Sequence, residues 1–414
     1  MTLVQFGAGN IGRSFIGQLF AQAGYDVCFV DVDQELVAEL NIARSYVVEV
    51  RDTPRQEIEI EGVRALHAGA KDRLVEEIAK ADILGTAVGP RALPKVYPVI
   101  AEGLRARREA GGGPIDIILC ENLRDAAEHA REGLAECLPE DYPLDELVGL
   151  VETSIGKMVP LITERDRKRD PLRVYAEAYN TLICDRSAFK QGVPDVHGLL
   201  PKDNMAAYVD RKLFIHNLGH ATCAYVGRLQ LPDATYMWEV MEDDDVRDAG
   251  RRAMWESGRA LLKAYPEEFD EASIEHHIED LLRRFANKAL GDTVFRVGRD
   301  LRRKLAAEDR LIGALQTQTA HDIVPHATRL AVACALRFDA TDEKGDPMDS
   351  DARILELVAS QGALATLSDL ADLSPMDALD ASILWGCMDA VAWLGRVLRE
   401  SPKVVPDYFE MKGV

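Results

Sequence analysis

Three side chains near the middle of the 414-residue chain carry the groups that metal-free alcohol oxidation needs. They are Lys212, Asn217 and His220, in the run Arg211-Lys212-Leu213-Phe214-Ile215-His216-Asn217-Leu218-Gly219-His220. On an α-helix at about 100° per residue, Asn217 falls about 140° and His220 about 80° from Lys212, so the three share one arc. A lysine whose pKa is lowered by burial or a nearby cation can take a hydroxyl proton as hydride leaves the carbon. Amide N–H groups can hold the alkoxide that develops. On spacing alone, a surface lysine beside a buried polar pair describes the same pattern.

A hydride needs an acceptor, and the first residues supply a place for one. Gly7-Ala8-Gly9-Asn10-Ile11-Gly12 fits GxGxxG between a short apolar run and a helical pattern. Gly7 suits the tight turn, Gly9 lets backbone approach a pyrophosphate, and Gly12 lets helix and strand pack closely. Asp31 ends the next apolar run, where an acid accepts from a ribose 2′-hydroxyl and repels a 2′-phosphate. No arginine follows in Val32-Asp33-Gln34-Glu35, so the reading favours NAD over NADP. Thr86-Ala87-Val88-Gly89 ends a third apolar run, where the ribose or nicotinamide end would pass; an ordinary strand-to-helix turn reads the same.

A second cluster is electrostatic. Between Arg296 and Arg310 lie six basic residues (Arg296, Arg299, Arg302, Arg303, Lys304, Arg310) and three acids (Asp300, Glu308, Asp309). Such an excess could collect an anionic substrate or form a solvated face of internal ion pairs. His216 and His220 have zinc-ligand spacing but no evident third ligand, and no metal is expected. His276-His277 and His321-x4-His326 read as polar or packing residues. The seven cysteines form no CxxC pair, so they read as small core residues in a reducing compartment.

The elements that must position these groups follow from hydrophobic patterning. Leu3–Phe6, Val27–Val32, Ile83–Val88, Ile115–Cys120, Leu147–Val151 and Val174–Ile183 read as strands, most of them continuous apolar runs flanked by helices. Tyr46–Val50 and Ile58–Val63 read as a hairpin at the sheet margin, and Arg105–Gly113 as a surface loop. After about Asp195 helical periods take over, with Asp203 or Asn204 as the first cap and an acidic loop at Asp339–Asp351. The expected architecture is α/β: a Rossmann-type doubly wound sheet domain over 1–195, then a mostly α-helical domain over 196–414.

Composition narrows the partners. With 49 basic and 70 acidic residues the net charge is −21, which repels phosphate backbones and anionic lipid. No apolar run reaches the roughly 20 residues of a membrane span. Met1 leads almost directly into a strand without a signal-peptide pattern, so a cytoplasmic protein is expected, with no nucleic-acid or membrane partner.

Lys212-x4-Asn217-x2-His220 resembles the signature of the polyol-specific long-chain dehydrogenases, the mannitol dehydrogenase family. Phe6-Gly7-Ala8-Gly9-Asn10-Ile11-Gly12-Arg13, Thr86-Ala87-Val88-Gly89-Pro90, Cys120-Glu121-Asn122, Arg296-Val297-Gly298-Arg299 and Asp309-Arg310-Leu311-Ile312 add to the likeness. It runs to about Leu315, is faint beyond, and is strongest to members acting on mannitol 1-phosphate. The resemblance implies NAD as cofactor and a zinc-independent site. Lys212 would be the general base, Asn217 and Asn122 the oxyanion-stabilising pair, and His220 the group that orients substrate. Arg296 and Lys304 would contact substrate oxygens.

The implied reaction interconverts D-mannitol 1-phosphate and D-fructose 6-phosphate, in a monomer or homodimer. One departure bears on substrate. The family carries an Asp-Arg pair where Glu152-Thr153-Ser154-Ile155-Gly156-Lys157-Met158-Val159-Pro160 has Gly156 and Lys157. Lys157 keeps the positive charge, and Glu152 could replace the acid if the loop shifts. A free-polyol dehydrogenase or hexuronate reductase of the same family is the nearest alternative. A β-hydroxyacid dehydrogenase fits less well, because its Lys and Asn stand one helical turn apart and these stand five residues apart. A non-catalytic NAD sensor would bind cofactor without needing Lys212.

Overall fold

The computed structural model describes residues 1–52, 54–160, 162, 164–398 and 405–412. Its two units are Met1–Val209 and Asp210–Val414. The first contains β1 (Thr2–Phe6), β2 (Asp26–Asp31), β3 (Ser45–Val50), β4 (Gln56–Glu61), β5 (Val63–His67), β6 (Ile83–Thr86), β7 (Ile115–Leu119), β8 (Val148–Ile155), β9 (Val174–Ala176), β10 (Leu182–Asp185) and β11 (Leu199–Lys202). Eight of them form one sheet in the order β11-β10-β8-β7-β6-β1-β2-β5. Its neighbours are parallel except where β10 runs against β8.

Both faces of this sheet are covered, which is why its strands read as continuous apolar runs. Leu3, Val27, Phe29, Ile83, Ile118, Val151 and Leu182 feed one core. Their neighbours along the strands, Val4, Cys28, Val30, Leu84, Ile117, Leu119 and Leu150, feed the other. Successive side chains point to opposite faces, so each strand is shared between two cores.

Four local expectations change. Tyr46–Val50 and Ile58–Val63 do not sit at the margin of the main sheet: β3 and β4 pair antiparallel in a separate three-stranded sheet with β9. Gly62, at φ 71°, turns the chain out of that hairpin, so Val63 starts β5 beside β2. The run Val174–Ile183 splits into β9, which pairs with β3, and β10, which pairs with β8; between them the Glu177 carboxylate accepts from Met158 N–H and the Asn180 amide oxygen from the Lys157 ammonium. Arg105–Glu109 is helical, the end of Leu93–Glu109, with the chain leaving at Gly111. β11 lies beyond residue 195 and pairs with β10, so the sheet continues past the expected boundary. Asn204 Oδ1 then accepts from Ala207 N–H and starts the next helix.

The second unit is helical. Its longer helices include Leu218–Gln230, Asp244–Ala264, Glu271–Phe285 and Ala378–Val397. Leu218–Gln230 is buried over most of its length. No helix among the described residues is long and apolar enough to cross a membrane.

Candidate active site

The glycine turn is built as its spacing requires. Gly7 sits at φ 92°, where a side chain would press on the carbonyl of Ala87. A Cβ on Gly12 would overlap the carbonyl of Gly7, whereas one on Gly9 would meet nothing within 4 Å. The first and third glycines are therefore required by packing, and the second leaves backbone open. Ala8, Gly9 and Asn10 line a cleft of about 650 Å³ with Asp31, Asp33 and Arg13. That size suits a cofactor. Ile11 packs its side chain against the sheet core.

Asp31 does more than face the cleft. Its Oδ2 accepts from Ala8 N–H at 2.8 Å and its Oδ1 from Asp33 N–H at 3.0 Å, so the carboxylate holds the glycine loop to the end of β2. Each carboxylate oxygen retains accepting capacity for a ribose hydroxyl. A dinucleotide fits this set: an open glycine, a helix start and an acid at the strand end.

At the ends of β6 and β7, Glu121 is a residue that sequence reasoning quoted only within a motif. Its buried carboxylate accepts from the Thr86 hydroxyl at 2.7 Å and from Val88 N–H at 3.1 Å. Burial raises its pKa, and those donors pull it back. Glu121 thus fixes Thr86, Ala87 and Val88, and stands next to Asn122, which is exposed. Glu152 does not replace a lost acid: its side chain accepts from Ala126 N–H at a helix start. Lys157 is buried, donates to Asn180 Oδ1 at 2.7 Å and lies over the Phe15 ring. The carboxylate beside this segment is Glu177, on Met158 N–H.

In the second unit, Lys212–Asn217 is a π-helical turn rather than α-helix. Leu218 N–H reaches Leu213 O, five residues back. Residues five apart therefore stack, which brings Asn217 closer in line with Lys212 than the α-helical estimate. Burial, and then the Arg310 cation, draw the Lys212 pKa from 10.5 to about 8, against the opposing charge of Asp309. Asp309 and Arg310 are bonded at 2.7 Å.

His220 lies flat on Phe285, ring centroids 4.4 Å apart. Burial lowers its pKa to about 3, helped by the cations of Arg296, Arg310, Lys304 and Arg284, so the ring is neutral. Its Nε2 is buried and has no hydrogen-bond partner among the described residues. His216 and His277 are held neutral by burial too. No group of three His, Cys, Asp or Glu residues among those described could hold a metal ion.

The basic run is partly self-neutralised. Arg296 pairs with Asp292, Arg303 with Asp300 and Asp309, and Arg310 with Asp309. Lys304 is buried, donates to Arg299 O, and has its pKa brought to about 7 by burial and then by Arg310 and Arg303. Arg310 thus acts on Lys212, His220 and Lys304, and Arg296 acts on His220. Sequence reasoning placed Arg310 only within the basic cluster and a family motif, and gave Arg284 and Phe285 no role.

The chain matches the family models of the mannitol dehydrogenase Rossmann domain over residues 1–198 and the mannitol dehydrogenase C-terminal domain over residues 204–374. The second match extends well past Leu315, where the likeness by motif fades. A substrate-free D-sorbitol dehydrogenase shares the fold at TM-score 0.77 and 17% identity, covering 98% of this chain and 94% of that one. Pseudomonas fluorescens mannitol 2-dehydrogenase, in a ternary complex with NAD and D-mannitol, does so at TM-score 0.75 and 16% identity, covering 100% and 94%.

Proposed function

From its membership of the mannitol dehydrogenase family, to which this chain belongs, we propose that it is an NAD-dependent oxidoreductase interconverting D-mannitol 1-phosphate and D-fructose 6-phosphate. What supports the phosphate is the local excess of charge from Arg296 to Arg310, six basic residues against three acids, in a protein of net charge −21. Arg296 and Lys304 hold the phosphate. His220 offers its unpartnered Nε2 to a substrate hydroxyl. Lys212, as free amine, accepts the carbinol proton at Nζ, and its ammonium returns it in the reverse direction. The amides of Asn217 and Asn122 donate to the alkoxide oxygen. When bound, NAD would supply the hydride acceptor for the carbinol carbon. Gly7, Ala8, Gly9, Asn10, Ile11 and Gly12 form its pyrophosphate turn, Asp31 takes the ribose, and Thr86, Ala87 and Val88 line its far end. We read the protein as cytoplasmic, working as monomer or homodimer without zinc.

A free-polyol substrate is the second reading, favoured by the two solved structures named above, a D-sorbitol dehydrogenase and a complex with D-mannitol. The test is NADH oxidation by purified protein with fructose 6-phosphate, fructose, fructuronate and tagaturonate, repeated with Lys212→Ala. Turnover confined to fructose 6-phosphate and lost in the variant is the expected result. Turnover confined to an unphosphorylated or carboxylated sugar keeps the base and removes the phosphate. Tight NADH binding with no turnover on any of them points to a sensor.

A further inference from the structure

Arg13 follows the last glycine of the turn, and the dinucleotide fingerprint gives that position no task. The side chain is almost wholly buried, 5% exposed. Its Nε donates to Ala8 O at 2.6 Å and its Nη1 to Leu172 O at 2.7 Å. Both acceptors are neutral carbonyls. Asp31 and Asp170 act on the guanidinium only through their fields, and among the described residues no carboxylate is hydrogen-bonded to it. A buried cation without an anion is costly, and proteins normally supply the partner. Here the remaining surface of Arg13 belongs to the cleft that also exposes Gly9. A guanidinium carries five N–H groups in one plane, and two are spent on the carbonyls.

We infer that Arg13 is a cofactor-binding residue: its free N–H groups donate to the pyrophosphate of the dinucleotide, and the diphosphate is the counter-ion that the buried guanidinium lacks. This rests on the reading of the cleft as an NAD site. The two carbonyl bonds hold the planar group rigidly, one of them to the glycine loop itself. Arginine rather than lysine suits that task, because one planar fork can brace backbone and bind phosphate at once. The neighbouring Arg167 and Lys168 lie on the exposed rim of the same cleft and add attraction that salt can screen.

The test separates binding from bracing by comparing two probes. ADP-ribose carries the diphosphate and adenosine does not. Each is titrated as a competitor of NADH fluorescence against the wild type, Arg13→Lys and Arg13→Gln, with near-UV circular dichroism to check folding. In the variants the ADP-ribose Kd is expected to rise about 10- to 100-fold, while the adenosine Kd changes less than about twofold. Equal weakening of both probes would mean that Arg13 only braces the loop, and overturns the inference while leaving the NAD reading intact. Failure of the wild type to bind ADP-ribose removes both. Should neither variant fold, a crystal structure of the wild type with ADP-ribose decides. Arg13 Nη2 within about 3 Å of a phosphate oxygen supports the assignment, and a separation beyond about 4 Å refutes it.

Discussion

Lys212→Ala takes away the amine that, on this reading, moves the substrate proton, and the expected loss can be worked out. Free lysine has a pKa near 10.5, and burial with the Arg310 cation brings Lys212 to about 8. At pH 7 about 10% of such an amine is neutral, against about 0.03% at the ordinary value, a gain of about 300-fold in usable base. Alcohol oxidation consumes the neutral amine, so log kcat/KM should rise with unit slope up to about pH 8 and then level. Ketone reduction consumes the ammonium, so it should be flat below about pH 8 and fall above it. Lys212→Ala should lower kcat by about 10²- to 10⁴-fold in both directions and abolish that break. Small primary amines added to the variant should restore part of the rate. Arg310→Met removes the second cause of the low pKa and should move the break to higher pH. The assay is NADH absorbance across the pH range with saturating cofactor. Oxidation that climbs without a break to pH 10, or a variant that keeps the break within tenfold of the wild-type rate, would refute the assignment.

Other perturbations probe the remaining parts. Gly12→Ala should destabilise by about 1–3 kcal/mol, because its methyl overlaps the Gly7 carbonyl, whereas Gly9→Ala should keep its melting temperature and weaken NADH binding; calorimetry and titration separate the two. Asp31→Ala should bring the NADPH and NADH Kd values closer and weaken NADH about tenfold, since the carboxylate both repels a 2′-phosphate and holds Ala8 N–H; unchanged discrimination would count against it. Lys304→Gln should raise KM for fructose 6-phosphate about 10- to 100-fold and leave fructose unaffected. In the wild type that KM should climb as pH passes about 7, where Lys304 loses its charge. Glu256 is buried, accepts from Ala327 N–H, Thr328 N–H and the Thr328 hydroxyl, and has its pKa raised from 4.5 to about 7 by burial. The folded state holds the extra proton between those values, so stability should fall as pH rises from 4.5 to about 7. Glu256→Ala should remove that slope and cost about 2–4 kcal/mol in urea melts, by orphaning its donors.

What could be read from the sequence divides along a physical line. The glycine turn, Asp31 and the doubly covered sheet are local: a strand, a turn and a helix start within about 30 residues fix one another, and apolar runs report burial directly. The breaks at Gly62 and at Glu177–Asn180 were harder, because hydrophobicity continues across them while the chain changes sheets. Nothing in a run of apolar residues says which partner strand each half will choose. The same limit hid Glu121 and Arg13. Each is a charged residue at the edge of an apolar stretch, and its importance lies in which backbone groups come to meet it: Val88 N–H for Glu121, Leu172 O for Arg13.

The run from Lys212 to His220 shows how local helix geometry can differ from the one that residue spacing suggests. Lys212, Asn217 and His220 were placed on one arc of an α-helix, and their spacing of five was weighed against a β-hydroxyacid dehydrogenase, where the pair stands one turn apart. The turn from Lys212 to Asn217 is π-helical, and in that geometry five residues make little more than one turn. The spacing therefore loses its power to separate the two classes, and the domain matches over residues 1–198 and 204–374 carry the distinction instead. The π turn also explains how lysine and amide come into line without a neighbour between them. A residue added to a helical turn widens it, and such bulges recur at functional sites because they re-aim one side chain while leaving the helix on either side intact. On this account, Asn217→Ala should keep the helix, with circular dichroism near the wild-type value, and lower kcat by about 10²- to 10³-fold, the size of losing one oxyanion donor. A variant that folds and turns over at the wild-type rate would show that the Asn217 amide does not hold the alkoxide.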